Sequence, residues 1–142
     1  MSDASCPRRH VLRTMLAASG LLVLPGGLTA CAVNEGVVVA TSDASGKPTI
    51  KVGDVPVATS VLVAAGARDY IVAQPKEGTF AAFSAVCPHQ GARLEGGDIL
   101  IRCPAHGSRF DTADGGAVLN GPAEQPLTSI PITRDGDLLV LT

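Results

Sequence analysis

Residues 87–108 read CPHQGARLEGGDILIRCPAHGS, and this stretch decides how the chain is organised. It contains two Cys–His pairs, Cys87 with His89 and Cys103 with His106. Thiolate sulfur and neutral imidazole nitrogen are ligands that iron and zinc both accept. Outside the N-terminal leader the chain has no other histidine, so two Cys and two His form the only such ligand set that it offers. The sequence therefore predicts a metal centre in this stretch.

The two pairs follow runs that are typical of β-strands, at residues 80–86 and 99–102. We therefore expect the pairs to lie on two loops at the same end of the fold. Gly91 and Gly107 come one or two residues after the histidines. Glycine allows the tight backbone turns that such loops need around a metal core.

Strand-like segments recur at short intervals from residue 49 to residue 142, and no helical periodicity is sustained after the leader. The candidate strands lie at residues 61–63, 70–72, 80–83, 99–101, 117–119, 130–132 and 138–141. Glycine- and aspartate-rich turns separate them. This pattern predicts an all-β domain at residues 49–142, an antiparallel β-sandwich that carries the two loops as a subdomain.

The N-terminal segment is typical of an export signal. Arg8 and Arg9, followed by an apolar residue and Leu12, resemble a twin-arginine motif, and residues 14–24 are uncharged and mostly apolar. Residues 28–31 read LTAC and resemble a lipoprotein box, in which Cys31 would receive the lipid. We predict a signal peptide at residues 1–30, lipidation at Cys31 and a flexible linker at residues 31–48, in which residues 37–39 indicate a short strand.

Two alternatives remain for this leader. The arginine pair is also compatible with an ordinary positively charged signal for export of an unfolded chain. The uncharged residues from 14 to 33 are long enough to span a bilayer, although the Pro-Gly-Gly at residues 25–27 interrupts them. Lipidation or a retained helix would each tether the domain to the outer face of a bacterial cytoplasmic membrane.

Composition excludes some partners. From residue 31 onward the chain has 8 basic and 12 acidic side chains, a net charge of −4. Nucleic acid requires a basic surface, so we do not expect it as a partner. A surface of this charge favours a basic protein partner.

The paired motif and its flanking residues, CPHQG at 87–91 and CPAHGSRFD at 103–111, resemble the Rieske iron–sulfur family. This resemblance implies one [2Fe–2S] cluster, with the two cysteines on one iron and the two histidines on the other. It also implies that the Ser108 hydroxyl bonds a bridging sulfide. Residues 121–123, Gly-Pro-Ala, match the proline-bearing loop that covers the third side of the cluster in this family.

The chain departs from the quinol-oxidising branch of that family at three positions. Ala92 and Ala105 stand where that branch has two cysteines that form a disulfide. Phe110 stands where it has a tyrosine, which donates a hydrogen bond to a cysteine sulfur. Because donors to sulfur stabilise the more negative, reduced cluster, we expect a midpoint potential below the top of the Rieske range.

The resemblance implies a membrane-tethered carrier of single electrons, without a catalytic site of its own. Its partners would be a cytochrome, an exported oxidoreductase or quinol. Alternatives are the Rieske subunit of a cytochrome bc-type quinol oxidoreductase and the small subunit of an arsenite-oxidase-like enzyme. A zinc-stabilised structural module of the cell envelope is a hypothesis of a different class. A catalytic Cys–His dyad is disfavoured, because no third group is present to orient it.

Overall fold

The computed structural model describes residues 37–142, and its regular structure is almost entirely β. In chain order the strands are β1 (Val37–Val39), β2 (Thr41–Ser42), β3 (Pro48–Lys51), β4 (Thr59–Ala65), β5 (Arg68–Lys76), β6 (Thr79–Ser84), β7 (Gly97–Asp98), β8 (Leu100–Arg102), β9 (Arg109–Asp111), β10 (Ala117–Asn120), β11 (Ser129–Ile130), β12 (Ile132–Asp135) and β13 (Leu138–Leu141). Two short 3₁₀ helices occupy Val52–Asp54 and Thr112–Asp114.

The main sheet has the strand order β1-β4-β5-β6-β11, and β7 also pairs with β4. Its longest ladder joins β4 to β5 in antiparallel register, with Val63 opposite Tyr70. The turn between these strands contains Gly66, which has a φ of 65° that favours glycine. Among the strands of residues 37–142, only β1 and β4 pair in parallel.

Side chains alternate between the two faces of the main sheet, so each strand contributes residues to both faces. Both faces are buried, because another sheet covers each of them. Val61, Val63 and Val72 belong to an apolar cluster that includes Ile50 and Leu139 of the second sheet. That second sheet has the order β12-β13-β3-β2. The packing of these two sheets around one apolar layer is the predicted sandwich.

The opposite face of the main sheet supports a small sheet of order β10-β9-β8. Leu62 and Phe83 of the main sheet share one buried cluster with Ile101 and Phe110 of the small sheet. Gly96 lies so close to β4 that an added Cβ would come within 2.6 Å of the Leu62 backbone nitrogen. The small sheet and its loops are therefore held firmly against the main sheet.

The structure confirms the all-β architecture but differs from several sequence predictions. The predicted linker contains β1, at the residues 37–39 indicated as a short strand, and also β2, which was not predicted, so this part of the chain belongs to the fold from Val37 onward. The strand predicted at 130–132 is divided at Pro131 between two sheets. Strands β2, β3, β7 and β9 were not predicted, because each has only two to four residues and is too short to show a clear alternation.

Three predictions concern residues outside the described part of the chain: the signal peptide at 1–30, the lipoprotein box and lipidation at Cys31. Among residues 37–142, no helix has the length and apolar character needed to cross a membrane.

Candidate metal centre

The two Cys–His pairs lie on two loops of six residues each, Cys87–Ala92 and Cys103–Ser108. An antiparallel residue pair closes each loop: Val86 lies opposite Arg93, and Arg102 lies opposite Arg109. The loops are therefore the tips of two hairpins. The sequence prediction that each pair occupies a loop after a strand is confirmed.

The same two backbone hydrogen bonds shape both loops. The N–H of Cys87 donates to the carbonyl of Ala92 (2.8 Å), and the N–H of Gly91 donates to the carbonyl of Cys87 (2.8 Å). In the second loop the donors are Cys103 (2.8 Å) and Gly107 (3.0 Å), and the acceptors are Ser108 and Cys103. Gly91 and Gly107 have φ angles of 72° and 77°, which explains glycine at both positions.

The four candidate ligands meet as two like pairs. The imidazole rings of His89 and His106 are perpendicular, with their centroids 4.9 Å apart. Cys87 and Cys103 are each 1% exposed, and their thiols are close enough for each to shift the pKa of the other. Both cysteines are free. The sulfur pair is therefore enclosed by protein, whereas His106 is exposed to solvent.

The environment of the two thiols is asymmetric. Burial raises the pKa of Cys87, and the neighbouring Cys103 raises it further. Burial also acts on Cys103, but the backbone N–H groups of Ala105 and His106, together with the Cys87 thiol, outweigh it and lower the pKa of Cys103. Backbone donors directed at both sulfurs stabilise negative charge there, as a thiolate-bound metal requires.

One atom of this site lacks a partner. The Nδ1 atom of His89 is buried and makes no hydrogen bond, and it is the only such side-chain nitrogen or oxygen in residues 37–142. A buried polar atom without a partner costs free energy, so an unsatisfied atom of this kind calls for an explanation. Coordination of a metal by Nδ1 would satisfy it, and the donor set of thiolates and imidazoles fits iron.

Comparison with known proteins identifies the centre. The family model described as "Rieske [2Fe-2S] domain" matches residues 46–131. The chain belongs to the Rieske [2Fe–2S] family. It is therefore a Rieske iron–sulfur protein, in which one [2Fe–2S] cluster carries electrons.

The zinc hypothesis for the Cys–His motif is replaced by this family match. Within residues 37–142, no three His, Cys, Asp or Glu side chains are grouped to hold a single ion.

Two curated Rieske proteins are similar in sequence. The chain is 32% identical over 148 residues to the "Cytochrome b6-f complex iron-sulfur subunit" of a Synechococcus strain, covering 92% of this chain and 83% of that protein. It is 40% identical over 55 residues to the "Putative respiratory nitrate reductase subunit Rieske" of Haloferax mediterranei. That shorter match covers 38% of this chain and 25% of the relative.

Solved structures support the same fold. The ferredoxin of carbazole 1,9a-dioxygenase from Nocardioides aromaticivorans superposes with a TM-score of 0.54 at 21% identity, covering 66% of this chain and 92% of that one. A complex of an oxygenase and a ferredoxin from carbazole 1,9a-dioxygenase contains a chain that superposes with a TM-score of 0.53 at 23% identity, covering 66% of this chain and all of that one. These similarities show the Rieske fold.

A third loop of the Rieske domain packs on the second cluster loop. Gly121 lies so close to Ser108 that an added Cβ would be 2.4 Å from the Ser108 Cα, and the φ of Gly121 is 103°. The N–H of Ala123 donates to the Ser108 Oγ (3.1 Å), and Ser108 is fully buried. The sequence identified Ser108 and residues 121–123 separately, but only their contact shows that the third loop orients the serine hydroxyl.

The positions that depart from the quinol-oxidising branch are all close to the candidate ligands. Ala92 packs against the apolar cluster that includes Cys87 and Cys103, and Ala105 is exposed between Cys103 and His106. Phe110 is fully buried in the same apolar cluster. Its ring therefore forms part of the apolar packing around the two sulfurs.

The arginines near the loops have different surroundings. The Arg93 Nε lies 2.6 Å from the Asp69 Oδ2, so Arg93 is paired with a carboxylate that the sequence did not indicate. Arg102 and Arg109 are exposed, and no carboxylate of residues 37–142 lies within 4.0 Å of either guanidinium. Both side chains are therefore solvated in the described chain.

Proposed function

We propose that Cys87 and Cys103 bind one iron of the cluster and that His89 and His106 bind the other. The observation that carries this proposal is the unpartnered, buried Nδ1 of His89 beside the ring of His106. The pairing of sulfur with sulfur and of imidazole with imidazole also fits a centre of two differently ligated irons. Two neutral imidazoles in place of two thiolates reduce the negative charge of the centre and raise its potential.

The chain would then act as a carrier of single electrons. Burial of both cysteines keeps water away from the sulfur side, while the exposed His106 and half-buried His89 leave the imidazole side open to a partner. Electrons would enter and leave through this open side. The Ser108 hydroxyl, which already accepts from the Ala123 N–H, keeps its own hydrogen available for a sulfur atom.

Purification of the full chain and of four single variants tests the ligand assignment. The wild-type protein should contain two irons and two acid-labile sulfides per chain and be brown. Cys87→Ser, Cys103→Ser, His89→Ala and His106→Ala should each lose the visible absorption bands. Gln90→Ala, in the same loop, should retain them. A full iron content in any of the four ligand variants would contradict the assignment.

We further propose that the chain is exported through a twin-arginine signal at residues 1–30 and tethered to the outer face of the membrane by lipid on Cys31. The Arg8-Arg9 pair and the LTAC box support this proposal. A route for folded proteins suits a chain that must receive its cluster before export. Stable anchoring needs more than one acyl chain, as a bacterial lipoprotein cysteine carries.

Cell fractionation of the full chain separates the possible anchors. Replacement of Arg8 and Arg9 by lysine should retain the cluster-bearing protein inside the cell. Cys31→Ala should release it from the membrane and abolish palmitate labelling. If Cys31→Ala stays membrane-bound, the leader is itself the anchor and the lipidation proposal fails.

A second candidate is the Rieske subunit of a cytochrome bc-type quinol oxidoreductase. The similarity to a cytochrome b6-f iron–sulfur subunit over 92% of this chain favours it. The alanines at 92 and 105 and the phenylalanine at 110 favour instead a carrier or the small subunit of an exported, arsenite-oxidase-like enzyme. Mild detergent extraction followed by affinity purification distinguishes them, because a bc-type subunit should copurify with haem b and oxidise quinol.

A further inference from the structure

Arg102 and Arg109 form a like-charged pair beside the second cluster loop. They are directly opposite each other in the antiparallel ladder between β8 and β9. Their neighbours Ile101 and Phe110 are buried, so the two arginines extend from the outer face of the small sheet. We call Arg102 and Arg109 the arginine pair.

The register places the stems of the two arginine side chains close together. The Cys103 N–H donates to the Ser108 carbonyl, so the adjacent residues Arg102 and Arg109 form a pair without ladder hydrogen bonds. The Cβ atoms of such pairs approach most closely, and like charges opposite each other are destabilising. Two positive charges at this position, on the rim of the electron-carrying centre, favour an external counter-charge.

The described chain does not supply that counter-charge. Asp111 follows on the same strand, but its Oδ1 accepts from the Ala113 N–H (2.8 Å) and caps a 3₁₀ helix. The first loop provides an internal comparison, because Arg93 closes it at the position that corresponds to Arg109 and is neutralised by Asp69. The second loop therefore has two exposed arginines without a carboxylate partner in residues 37–142, whereas the arginine that closes the first loop is paired.

The arginine pair lies at the base of the loop that carries His106. An ideal Cβ on Gly107 would be 3.8 Å from an Arg102 terminal nitrogen, so that guanidinium lies near the residue that follows His106. On the other flank, Glu124 shares a cleft with His89. The tip of the domain is thus positive on the His106 side and negative on the His89 side, within a chain that is acidic as a whole.

We propose that the arginine pair docks the carboxylates of an acidic electron-transfer protein over His106. Guanidinium groups bind carboxylates in a bidentate geometry, and charges at the rim of an interface mainly raise association rates. The surface charge of the whole chain favours a basic partner, so the arginine pair reverses that preference at the point of electron transfer. The proposal rests on His106 being a cluster ligand.

Stopped-flow kinetics with a reduced, acidic plant-type [2Fe–2S] ferredoxin tests the proposal. The ferredoxin loses one electron and the oxidised Rieske cluster gains it, with no bond formed or broken. All-cysteine clusters have lower potentials than Rieske centres, so the transfer is downhill. The double variant Arg102→Gln/Arg109→Gln should lower the second-order rate constant about tenfold at about 0.01 M ionic strength. The difference should disappear at about 1 M ionic strength, where charges are screened.

Two control variants separate local charge from other effects. Lys47→Gln/Arg134→Gln removes the same total charge from exposed sites outside the cluster loops and should change the rate less than about twofold. Arg102→Lys/Arg109→Lys retains the charge and should retain most of the rate. With a basic cytochrome c as electron acceptor, the double glutamine variant should react as fast as wild type or faster.

Visible absorption and reduction by dithionite, recorded for every variant, show whether the cluster is present and redox-active. Wild-type protein without these signals would refute the proposed function rather than the docking site. Loss of the signals in the Arg102→Gln/Arg109→Gln variant alone would overturn the docking proposal, because the arginines would then be needed for the cluster itself. Unchanged kinetics in a fully loaded Arg102→Gln/Arg109→Gln variant would overturn the proposal. An equal loss in Lys47→Gln/Arg134→Gln would overturn it as well.

Discussion

Ser108 is the buried hydroxyl nearest to the proposed sulfur ligands in sequence, and its single recorded hydrogen bond is the one it accepts from the Ala123 N–H. A hydroxyl that accepts one bond is still able to donate one. At full burial an unused donor is costly, so we expect this O–H to be directed at a cluster sulfur. The phenyl ring of Phe110, which is also fully buried, has no such donor.

Replacement of Ser108 by alanine should lower the midpoint potential. A hydrogen bond to a charged group contributes about 1.5–3 kcal/mol, which corresponds to roughly 60–130 mV for a one-electron centre. Ser129→Ala, at an exposed position in β11, should leave the potential unchanged. Protein-film voltammetry of both variants would measure the difference, and equal potentials would show that Ser108 only packs.

Replacement of Phe110 by tyrosine should raise the potential, because a phenol O–H would be placed among the buried groups around Cys87 and Cys103. The quinol-oxidising branch, from which this chain departs at Phe110, has tyrosine at this position. If the hydroxyl finds no sulfur acceptor, the variant should instead lose about 1–3 kcal/mol of stability with no change in potential. Voltammetry and thermal unfolding together decide between these outcomes.

At the level of elements, three loops from different parts of the chain form the site. Two of them are hairpin tips with the same backbone hydrogen bonds, and the third packs through Gly121 on the backbone of Ser108. The close approach at Gly121 leaves no room for a side chain. The orientation of Ser108 therefore depends on a glycine that binds nothing itself.

Gly121→Ala should destabilise the protein and disturb the cluster at the same time. The added methyl would meet the Ser108 Cα at 2.4 Å, and overpacking of this kind costs about 1–3 kcal/mol. Gly136→Ala is the matched control, since Gly136 also has a positive φ, of 58°, but nothing lies within 4 Å of its added Cβ. Urea unfolding should show a larger loss for Gly121→Ala, and only that variant should have a shifted potential. Similar losses in the two variants would exclude the clash as the cause.

At the level of the whole molecule, the main sheet is the middle of three layers. One face packs against the second sheet, and the other packs against the small sheet that holds the loops. Strand β1 forms one edge of the main sheet, and β2 forms one edge of the second sheet. Val38 of β1 packs against the apolar cluster between these two sheets. The hydroxyls of Thr41 in β2 and Thr49 in β3 are 2.9 Å apart. The segment that joins the leader to the domain is therefore part of its structure.

Two truncations test this conclusion. A chain lacking residues 1–36 retains β1 and β2, whereas a chain lacking residues 1–47 exposes the edge of β4 next to the buried Val63. The second truncation should lower the free energy of unfolding by about 0.5–1.5 kcal/mol for each ladder hydrogen bond lost. Chemical denaturation of the cluster-loaded proteins measures this difference. Equal stabilities would mean that the segment up to Pro48 acts only as a linker.

The sequence alone determined the chemistry of the centre. The four proposed ligands, the two turn glycines and the short, turn-separated strands are local features, because ligand type, backbone freedom and side-chain alternation depend on residues close together in the chain. The family resemblance and the all-β fold followed from these features.

Only the tertiary structure decided which charges are compensated and which surfaces touch. Arg93 meets a carboxylate 24 residues earlier, Ser108 is oriented by a backbone N–H 15 residues later, and β1 joins β4 in parallel. These contacts depend on how separate elements pack, which single residues do not encode. For the same reason, the exposed arginine pair beside His106 is apparent only in the folded chain.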